Sequence, residues 1–402
     1  MYNIKKVLIR LLKGNTSAKD FHLLPIWLRQ LLFRMMAGRS SEKKKESFSL
    51  VIFKLDRIGD FILSLSAIQI LLREYGQENS LLILSPVVAS VARQQFPDVT
   101  ILELPGFGNS MFSGMIPVWR RYARRIREMQ VHTLVCLRHQ RTTYHNLVLS
   151  WFEARQSFGA ADPEWCIGEA ERELTPFAPS TLIPFAQFSE ASLKGLPTEL
   201  ETNRQIVSNV LGREIGFGEI LPTLVSNDKI HEYQDAVLIA PLGSEAVRSY
   251  AGLHLANLCN ELQKNGFHRI ILAGDHSQQI ELAELQKLIS LNGAKVEILP
   301  PGSLIDFISV INSVLGVISV ETATAHIAVA LNRPTVGIIG GGHYGYFAPW
   351  DYSSSQIWVT NKMDCFHCNW ECIYNTAHCI VDIPYSTICS SFMKAIAEGE
   401  RN

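Results

Sequence analysis

The residues best placed to do chemistry lie between positions 316 and 343. An apolar run there ends in Glu321 and Thr322, a helix-forming segment follows, and a second apolar run opens into three glycines and His343. This order predicts strand, helix, strand and glycine-rich loop. Ligands of a parallel α/β sheet bind outside the carboxyl ends of its strands, where helix N-termini offer free N–H groups to an anion. Both segment ends are therefore predicted to contact an anionic ligand, and a merely flexible glycine turn is the alternative.

A second candidate is an acidic turn in the first half of the chain. Residues 47–54 are apolar enough for a buried strand, and Gly59-Asp60 follows at the start of a predicted helix. A carboxylate at such a turn can take the proton of an attacking hydroxyl group, and glycine lets the turn approach another part of the chain closely. The alternative is that Asp60 caps the helix, because aspartate is common at helix N-caps.

Four cysteines crowd into fifteen residues near the C-terminus, with the spacing Cys-x2-Cys-x3-Cys-x6-Cys. They are Cys365, Cys368, Cys372 and Cys379. In a reducing compartment, four thiolates this close suit a tetrahedral zinc or iron site better than disulfides. We expect a structural metal that ties down the segment, and four free thiols are the alternative.

The elements that must position these residues alternate along the chain. Strand and helix patterns follow one another from residue 48 to residue 137, and again from residue 236 to the glycine loop. Such alternation is typical of βαβ units with a parallel sheet. The sequence therefore predicts an N-terminal arm at 1–47, a first doubly wound domain at 48–228 and a second at 229–402.

The charge distribution separates the arm from the rest of the chain. The net charge of −1 argues against a general nucleic-acid-binding protein, yet residues 1–48 hold eleven Lys/Arg and three Asp/Glu, a net charge of +8. The arm has an apolar stripe at helical spacing but no run long and uncharged enough to span a bilayer. We expect a cytoplasmic protein whose arm lies on the inner face of the inner membrane or packs on the protein's own surface.

Two segments together resemble glycosyltransferase family 9, which includes the bacterial lipopolysaccharide heptosyltransferases. They are Leu55–Asp60 at the first strand-to-helix turn and Ser319–Ala323, with His326, in the second half. The resemblance implies the α/β GT-B fold, in which two Rossmann-like doubly wound domains face each other across a cleft. It also implies that the first domain binds the acceptor and the second binds a nucleotide-activated sugar.

The activity implied by this resemblance is inverting sugar transfer from ADP-heptose, or another nucleotide sugar, to a cell-surface glycan such as lipopolysaccharide core or O-antigen. Asp60 takes the position of the general base, and no catalytic metal is implied. Glu321 stands where heptosyltransferases usually carry Asp, Ala323 where they carry Gly, and Arg248 where they carry Lys. Some relatives carry cysteine clusters near the C-terminus, and one branch uses such a cluster for iron.

The expected binding residues follow from the strand ends and from the resemblance. Those expected to bind the donor are Gly243, Ser244, Arg248, Gly274, Glu321, Thr322, Ala323, His326, Gly341, Gly342 and His343. Those expected to bind the acceptor, a glycolipid or an oligosaccharide, are Arg57, Gly59, Arg138, His139 and Arg141. Two other functions stay open: a nucleotide-sugar epimerase or hydrolase of the same fold, and a non-catalytic sugar-nucleotide or metal-sensing module.

Overall fold

The computed structural model describes residues 45–104, 116–138, 141, 143–160, 181–183, 197–226, 230–374 and 376–401. The predicted arm lies outside these residues except for its last three positions. In the described part the chain forms two six-stranded sheets, each with the strand order 3-2-1-4-5-6 counted along its own half. This is the order of the doubly wound dinucleotide-binding fold. The predicted α/β class with two Rossmann-like sheets is confirmed.

Every pair of neighbouring strands in both sheets is parallel. The first sheet contains β1 Glu46–Lys54, β2 Ser80–Leu84, β3 Thr100–Glu103, β4 Met129–Cys136, β5 Ala154–Ala160 and β6 Thr181–Ile183. The second contains β7 Ala236–Ala240, β8 Arg269–Leu272, β9 Glu297–Ile298, β10 Gly316–Val320, β11 Thr335–Ile338 and β12 Gln356–Val359. Helices cover both faces of such sheets, so their strands read as continuous apolar runs.

Helices connect these strands in the βαβ manner that the sequence predicts. In chain order they are α1 Ile58–Ile62, α2 Leu65–Tyr75, α3 Pro86–Gln95, α4 Ile116–Arg127, α5 Thr143–Leu149, α6 Thr198–Leu211, α7 Phe217–Ile220, α8 Leu253–Lys264, α9 Gln279–Leu291, α10 Leu304–Ser313, α11 Ala323–Ala330, α12 His378–Val381 and α13 Tyr385–Gly399. Helix α8 connects β7 to β8, and helix α9 connects β8 to β9.

The described residues divide into two compact units that do not follow one boundary in the sequence. The first unit draws on the described residues between Met1 and Asp56, between Ile68 and Phe185 and between Gln205 and Glu214. The second draws on the described residues between Arg57 and Ala67, between Ala186 and Arg204 and between Ile215 and Asn402. The turn that carries Asp60 therefore packs with the second unit, although it follows a strand of the first. A single boundary at 228–229 does not describe this exchange of segments.

The second unit has a continuous core that holds the ends of its central strands in place. All residues of β7 and β10 are buried. The C-terminal helix α13 packs on α8 and on strands β10, β11 and β12, and its Phe392 is fully buried. A rigid sheet covered in this way fixes the loops at its carboxyl edge, where the predicted binding residues lie. No helix within the described ranges is long and apolar enough to span a membrane.

Candidate functional site

The strand order of the second sheet reverses between β7 and β10, and the predicted donor residues follow these two strands. A doubly wound sheet has its ligand crevice at this reversal point. The loop after β7 carries Gly243, Ser244 and Arg248, and β10 ends at Glu321. The Arg248 guanidinium donates from Nη2 to the Glu321 carbonyl oxygen at 3.1 Å and from Nη1 to Ser244 Oγ at 3.4 Å. The structure thus brings the two predicted segments together through Arg248.

The loop after β7 is folded tightly around the backbone of Arg248. A Cβ atom on Gly243 would lie 2.5 Å from the Arg248 Cβ atom, so only glycine fits at this position. Gln278 donates to the Gly243 carbonyl oxygen at 3.0 Å. Gly274, at the end of β8, leaves room for that side chain, because a Cβ there would lie 2.8 Å from Gln278 Oε1. Gly243 and Gly274 therefore shape the loop, and Arg248 supplies its charge.

The Glu321 carboxyl group is buried without a hydrogen-bond partner on either oxygen. Burial raises its pKa to about 8, the Arg248 charge opposes that rise, and the Asp60 charge adds to it. The Arg248 Nε atom is buried without a partner as well. Buried polar atoms are rarely left unpaired in native proteins. The described part of the site therefore holds unsatisfied polar groups of both signs, which is the condition expected of a binding site for a polar ligand.

Asp60 lies in the first turn of α1, whose N-cap residue is Arg57. The alternative that Asp60 caps the helix is therefore wrong. Helix α1 packs on α11, and an added Cβ on Gly59 would lie 3.3 Å from His326 Cδ2 and 3.6 Å from Ala323 Cα. Gly59 thus allows the close approach that the sequence predicts, and the approach is to the helix that follows Glu321.

Helix α11 begins directly after the buried carboxylate. Thr322 is its N-cap residue, and the Thr322 hydroxyl lies 3.2 Å from Ser319 Oγ without capping the helix. The first N–H groups of a helix have no partner within the helix, so the start of α11 at Ala323 is available to an anion. His326 is not at this opening: it is buried, and burial lowers its pKa to about 3. The neutral ring accepts a hydrogen bond from Trp350 Nε1 at 3.1 Å, which is a packing role.

The glycine loop after β11 is covered by residues 363–379, here called the cysteine segment. A Cβ on Gly341 would lie 2.4 Å from the Phe366 ring, and a Cβ on Gly342 would lie 2.4 Å from the Trp370 ring. The Gly341 N–H group donates to Cys379 Sγ at 3.3 Å. The prediction that this N–H binds a ligand is therefore corrected, because it already has a partner. The two glycines admit aromatic rings of the cysteine segment.

His343 connects the same loop to the cysteine segment through two hydrogen bonds. Its Nδ1 atom accepts from Trp370 Nε1 at 3.1 Å, and its Nε2 atom lies 2.7 Å from Asn369 Oδ1. An indole N–H can only donate, so Nδ1 must be unprotonated and Nε2 must carry the proton. Burial lowers the pKa of His343, which agrees with a neutral ring. His343 therefore holds the cysteine segment in place, and a direct ligand contact is a secondary proposal.

The four clustered cysteines line one small cavity beside the glycine loop. Burial raises the pKa of the Cys379 thiol, and the other three thiols add to that rise. Four sulfur donors suit zinc or iron in type and number. Within the described ranges, however, no group of three or more His, Cys, Asp or Glu side chains is arranged to hold a metal ion. The four thiols suit the predicted metal in type and number, but their sulfur atoms are not arranged to coordinate one ion in the described structure.

Of the predicted acceptor residues, Arg138 and Arg141 belong to the first unit, whose strand order reverses between β1 and β4. Asp56 forms ion pairs with Arg138 and with the fully buried Lys54, whose Nζ atom lies 2.9 Å from Asp56 Oδ2. Arg138 is partly exposed at this strand end. Arg57, which belongs to the second unit, is exposed. These two arginines are accessible to a ligand.

Two other predicted acceptor residues have different outcomes. Arg141 is only 1% exposed, and its guanidinium donates to Asn146 Oδ1 at 3.0 Å and to the Ala160 carbonyl oxygen at 2.7 Å. The expected acceptor contact at Arg141 is therefore corrected, because its guanidinium is buried and hydrogen-bonded inside the first unit. His139 lies outside the described residues.

Sequence patterns missed Trp370 and Asp56. Trp370 stacks on Arg248, with the guanidinium carbon 5.0 Å from the ring centroid. The signal for Trp370 was available, since an aromatic residue inside a polar, cysteine-rich segment needs a packing partner. Asp56 stands next to the predicted turn, and a carboxylate between Lys54 and Arg57 indicates an ion pair.

Residues 217–374 match the family model described as glycosyltransferase family 9 (heptosyltransferase). The matched residues make up most of the second half of the described chain, which is therefore similar to the family-9 glycosyltransferases. The resemblance seen in two short segments is confirmed, and the protein is a glycosyltransferase. No curated protein matches the sequence as a relative.

Solved structures show the same fold at low sequence identity. The Escherichia coli heptosyltransferase WaaC with ADP has a TM-score of 0.59 and 16% identity, over 77% of this chain and 92% of that one. The E. coli ADP-heptose lipopolysaccharide heptosyltransferase II has a TM-score of 0.62 and 14% identity, over 88% and 100%. A family-9 glycosyltransferase from Veillonella parvula has a TM-score of 0.58 and 14% identity, over 90% and 100%. The glycosyltransferase therefore has the GT-B fold.

Proposed function

We propose that this glycosyltransferase inverts the anomeric carbon of a nucleotide-activated sugar, ADP-heptose or a similar donor, as it transfers the sugar to a glycan acceptor. The observation that carries the proposal is the polar pocket of the second unit. There the buried Glu321 carboxyl group, the Arg248 guanidinium and the start of α11 meet at the reversal point of the sheet. The neighbouring structure of WaaC contains ADP, and another contains ADP-2-deoxy-2-fluoro heptose.

Arg248 is proposed to bind the donor diphosphate. Its guanidinium is a planar fork with fixed charge, which matches phosphate oxygens better than a lysine ammonium does. The N-terminus of α11 at Thr322 and Ala323 adds backbone N–H groups on the same side. Negative charge develops on the diphosphate as it leaves, and both groups stabilise that charge without a catalytic metal.

Asp60 is proposed to be the general base. As the acceptor hydroxyl oxygen bonds to the anomeric carbon, its proton passes to the Asp60 carboxylate, and the bond from the anomeric carbon to the diphosphate breaks. Attack from the face opposite the leaving group inverts the carbon. Helix α1 supports this role because its packing on α11 holds Asp60 near Glu321, close enough for the Asp60 charge to raise the Glu321 pKa.

Glu321 is proposed to recognise the donor sugar. Both of its oxygens are buried without partners, and sugar hydroxyl groups can both donate to and accept from a carboxyl group. Its side chain is one methylene longer than the aspartate usual in heptosyltransferases. We therefore propose that this length sets which sugar is accepted, and heptose is the first sugar to test.

The acceptor is proposed to be a phosphorylated glycolipid or oligosaccharide, such as lipopolysaccharide core or O-antigen. Arg57 and Arg138 are the accessible cations that support an anionic acceptor. The cysteine segment is proposed to bind a structural zinc or iron through Cys365, Cys368, Cys372 and Cys379. When bound, the metal would cross-link the segment, and no step of the transfer passes through it.

The deciding experiment is a transfer assay with labelled nucleotide sugars, run with and without lipopolysaccharide core acceptors. Acceptor-dependent incorporation with inverted stereochemistry supports the proposal. Free sugar released at the same rate without acceptor indicates a hydrolase, and a changed nucleotide sugar indicates an epimerase. Nucleotide binding with no turnover of any donor indicates a binding module. Asp60→Asn is the matched control, because it should remove incorporation while calorimetry still detects ADP.

A further inference from the structure

Trp370 is held in one position by groups on three sides. An added Cβ on Gly340 would lie 2.4 Å from the six-membered ring of the Trp370 indole, and one on Gly342 would lie 2.4 Å from its five-membered ring. Both positions therefore need glycine to leave room for the indole. Its N–H group donates to His343, whose other nitrogen bonds Asn369. A side chain with its ring faces packed and its single donor bonded has little rotational freedom left.

The backbone around this tryptophan takes an uncommon conformation. His367, Asn369 and Trp370 have φ angles of 68°, 50° and 65°, the left-handed region that favours glycine. Such strain persists only where the surrounding contacts outweigh it, and it clusters at functional sites.

The Trp370 ring also lies against Arg248. The guanidinium carbon lies 5.0 Å from the ring centroid, within the range of a cation–π contact. The same guanidinium donates to the Glu321 carbonyl oxygen at 3.1 Å and to Ser244 Oγ at 3.4 Å. The ring adds a further contact that helps to fix the plane of the guanidinium, and that plane decides whether its N–H fork can meet a phosphate in two places.

We propose that Trp370 is a positioning residue for Arg248, through which the cysteine segment sets the affinity of the enzyme for its nucleotide donor. The proposal rests on the donor role proposed for Arg248. Trp370 and the four cysteines line the same cavity, so the cysteine segment acts on the guanidinium through the position of this one ring. We expect the cysteine segment to change the affinity for the nucleotide donor and not for the acceptor, because Trp370 contacts Arg248 and not the predicted acceptor residues.

The test is a double-mutant cycle measured by calorimetry with ADP. In the presence of Arg248, Trp370→Leu should weaken ADP binding about tenfold, because a loss of this factor corresponds to the free energy of one cation–π contact at a partly desolvated site. The same substitution in an Arg248→Ala background should change ADP binding by less than about twofold. Trp370→Phe keeps an aromatic face and should retain binding within about threefold. Phe366→Leu is the matched control, because Phe366 packs on Gly341 from the same segment, whereas the ring against Arg248 is that of Trp370.

Steady-state kinetics supply a second readout that a purely structural role would not produce. Trp370→Leu should raise the KM for the nucleotide sugar and leave kcat nearly unchanged, with an unaltered melting temperature as the folding check. Equal losses of ADP affinity in both backgrounds, or equal losses in Phe366→Leu, overturn the inference while Arg248 keeps its donor role. Normal ADP affinity in Arg248→Ala alone overturns the donor role, and the inference falls with it.

Discussion

Replacing Glu321 with glutamine should stabilise the protein, and the gain should grow with pH. Neither carboxyl oxygen has a hydrogen-bond partner in the described structure, so the substitution breaks no bond. It exchanges a group that can ionise for a neutral group of the same shape. Whatever free energy the buried charge costs at a given pH is therefore recovered in Glu321→Gln.

The magnitude follows from the pKa of Glu321, which burial raises from 4.5 to about 8. The folded state binds this proton more tightly than the unfolded state does, so the protonated group's contribution is fully present below pH 4.5 and is lost as the pH rises through 8. Each pKa unit corresponds to about 1.4 kcal/mol. By linkage, the wild-type protein should lose about 2 kcal/mol by pH 6 and about 3 kcal/mol by pH 7, with a plateau near 5 kcal/mol above pH 8.

Thermal unfolding at several pH values measures this difference. A stability change of 1 kcal/mol shifts the melting temperature by about 2–4 °C in a domain of this size. Glu321→Gln should therefore melt within a few degrees of the wild type at pH 5 and about 6–12 °C higher at pH 7. Glu284→Gln, on the exposed side of α9, is the matched control and should stay within about 2 °C of the wild type at every pH.

Two melting curves that run parallel from pH 5 to pH 8 would refute the reasoning, because they would show that Glu321 is ionised at no cost. A partner for its charge would then have to exist in the folded protein. Adding Asp60→Asn distinguishes the causes further. The Asp60 charge contributes to the raised pKa, so the advantage of glutamine should shrink in that background while burial maintains most of it.

The remaining predictions concern catalysis, packing, metal and membrane. Asp60→Asn should lower kcat by about two to four orders of magnitude with ADP affinity retained, and near-normal turnover in the folded variant would rule out the general base. Gly342→Ala should destabilise the protein by about 1–3 kcal/mol, since its Cβ would lie 2.4 Å from the Trp370 ring, and an unchanged melting temperature would contradict that packing. Elemental analysis of untagged protein should find about one zinc or iron per chain, whereas four titratable thiols in the cysteine segment and no metal would end that proposal. Deleting residues 1–45 should abolish binding to anionic liposomes at low salt, and unaltered binding would leave the arm a structural role.

Much of the fold could be predicted from the sequence, because parallel strands are buried on both faces and therefore form continuous apolar runs. The run that forms β7 is wholly apolar, the run that forms β10 is interrupted only by Ser319, and every residue of both strands is buried. The region from 160 to 228 was not readable, since its prolines and short apolar pieces carry no period. Helix α6 begins in that region. No pattern in the sequence predicts that residues 57–67 pack with the second unit. Exchange of a segment between units depends on contacts far apart in the chain.

The glycine loop shows why site residues are harder to predict than strands. Three glycines after a strand are expected both where a backbone must wrap an anion and where a backbone must admit a bulky neighbour. The sequence pattern is the same in the two cases. What separates them is the partner, and here Phe366 and Trp370 lie more than twenty residues later. The loop therefore supports the proposed donor site through Trp370, which contacts Arg248.

The unsatisfied groups of the second unit link its stability to its activity. Leaving a buried acceptor or donor unpaired costs about 1–3 kcal/mol, and Glu321 and Arg248 together leave three such atoms. Pairing Glu321 with Arg248 side chain to side chain would remove this cost, yet Arg248 donates instead to the Glu321 backbone carbonyl. This arrangement leaves both carboxyl oxygens of Glu321 and the Nε atom of Arg248 without a hydrogen-bond partner in the described structure. A polar ligand that satisfies both groups recovers this free energy on binding, so we expect the atoms that lower the stability of the protein to strengthen binding of the proposed donor.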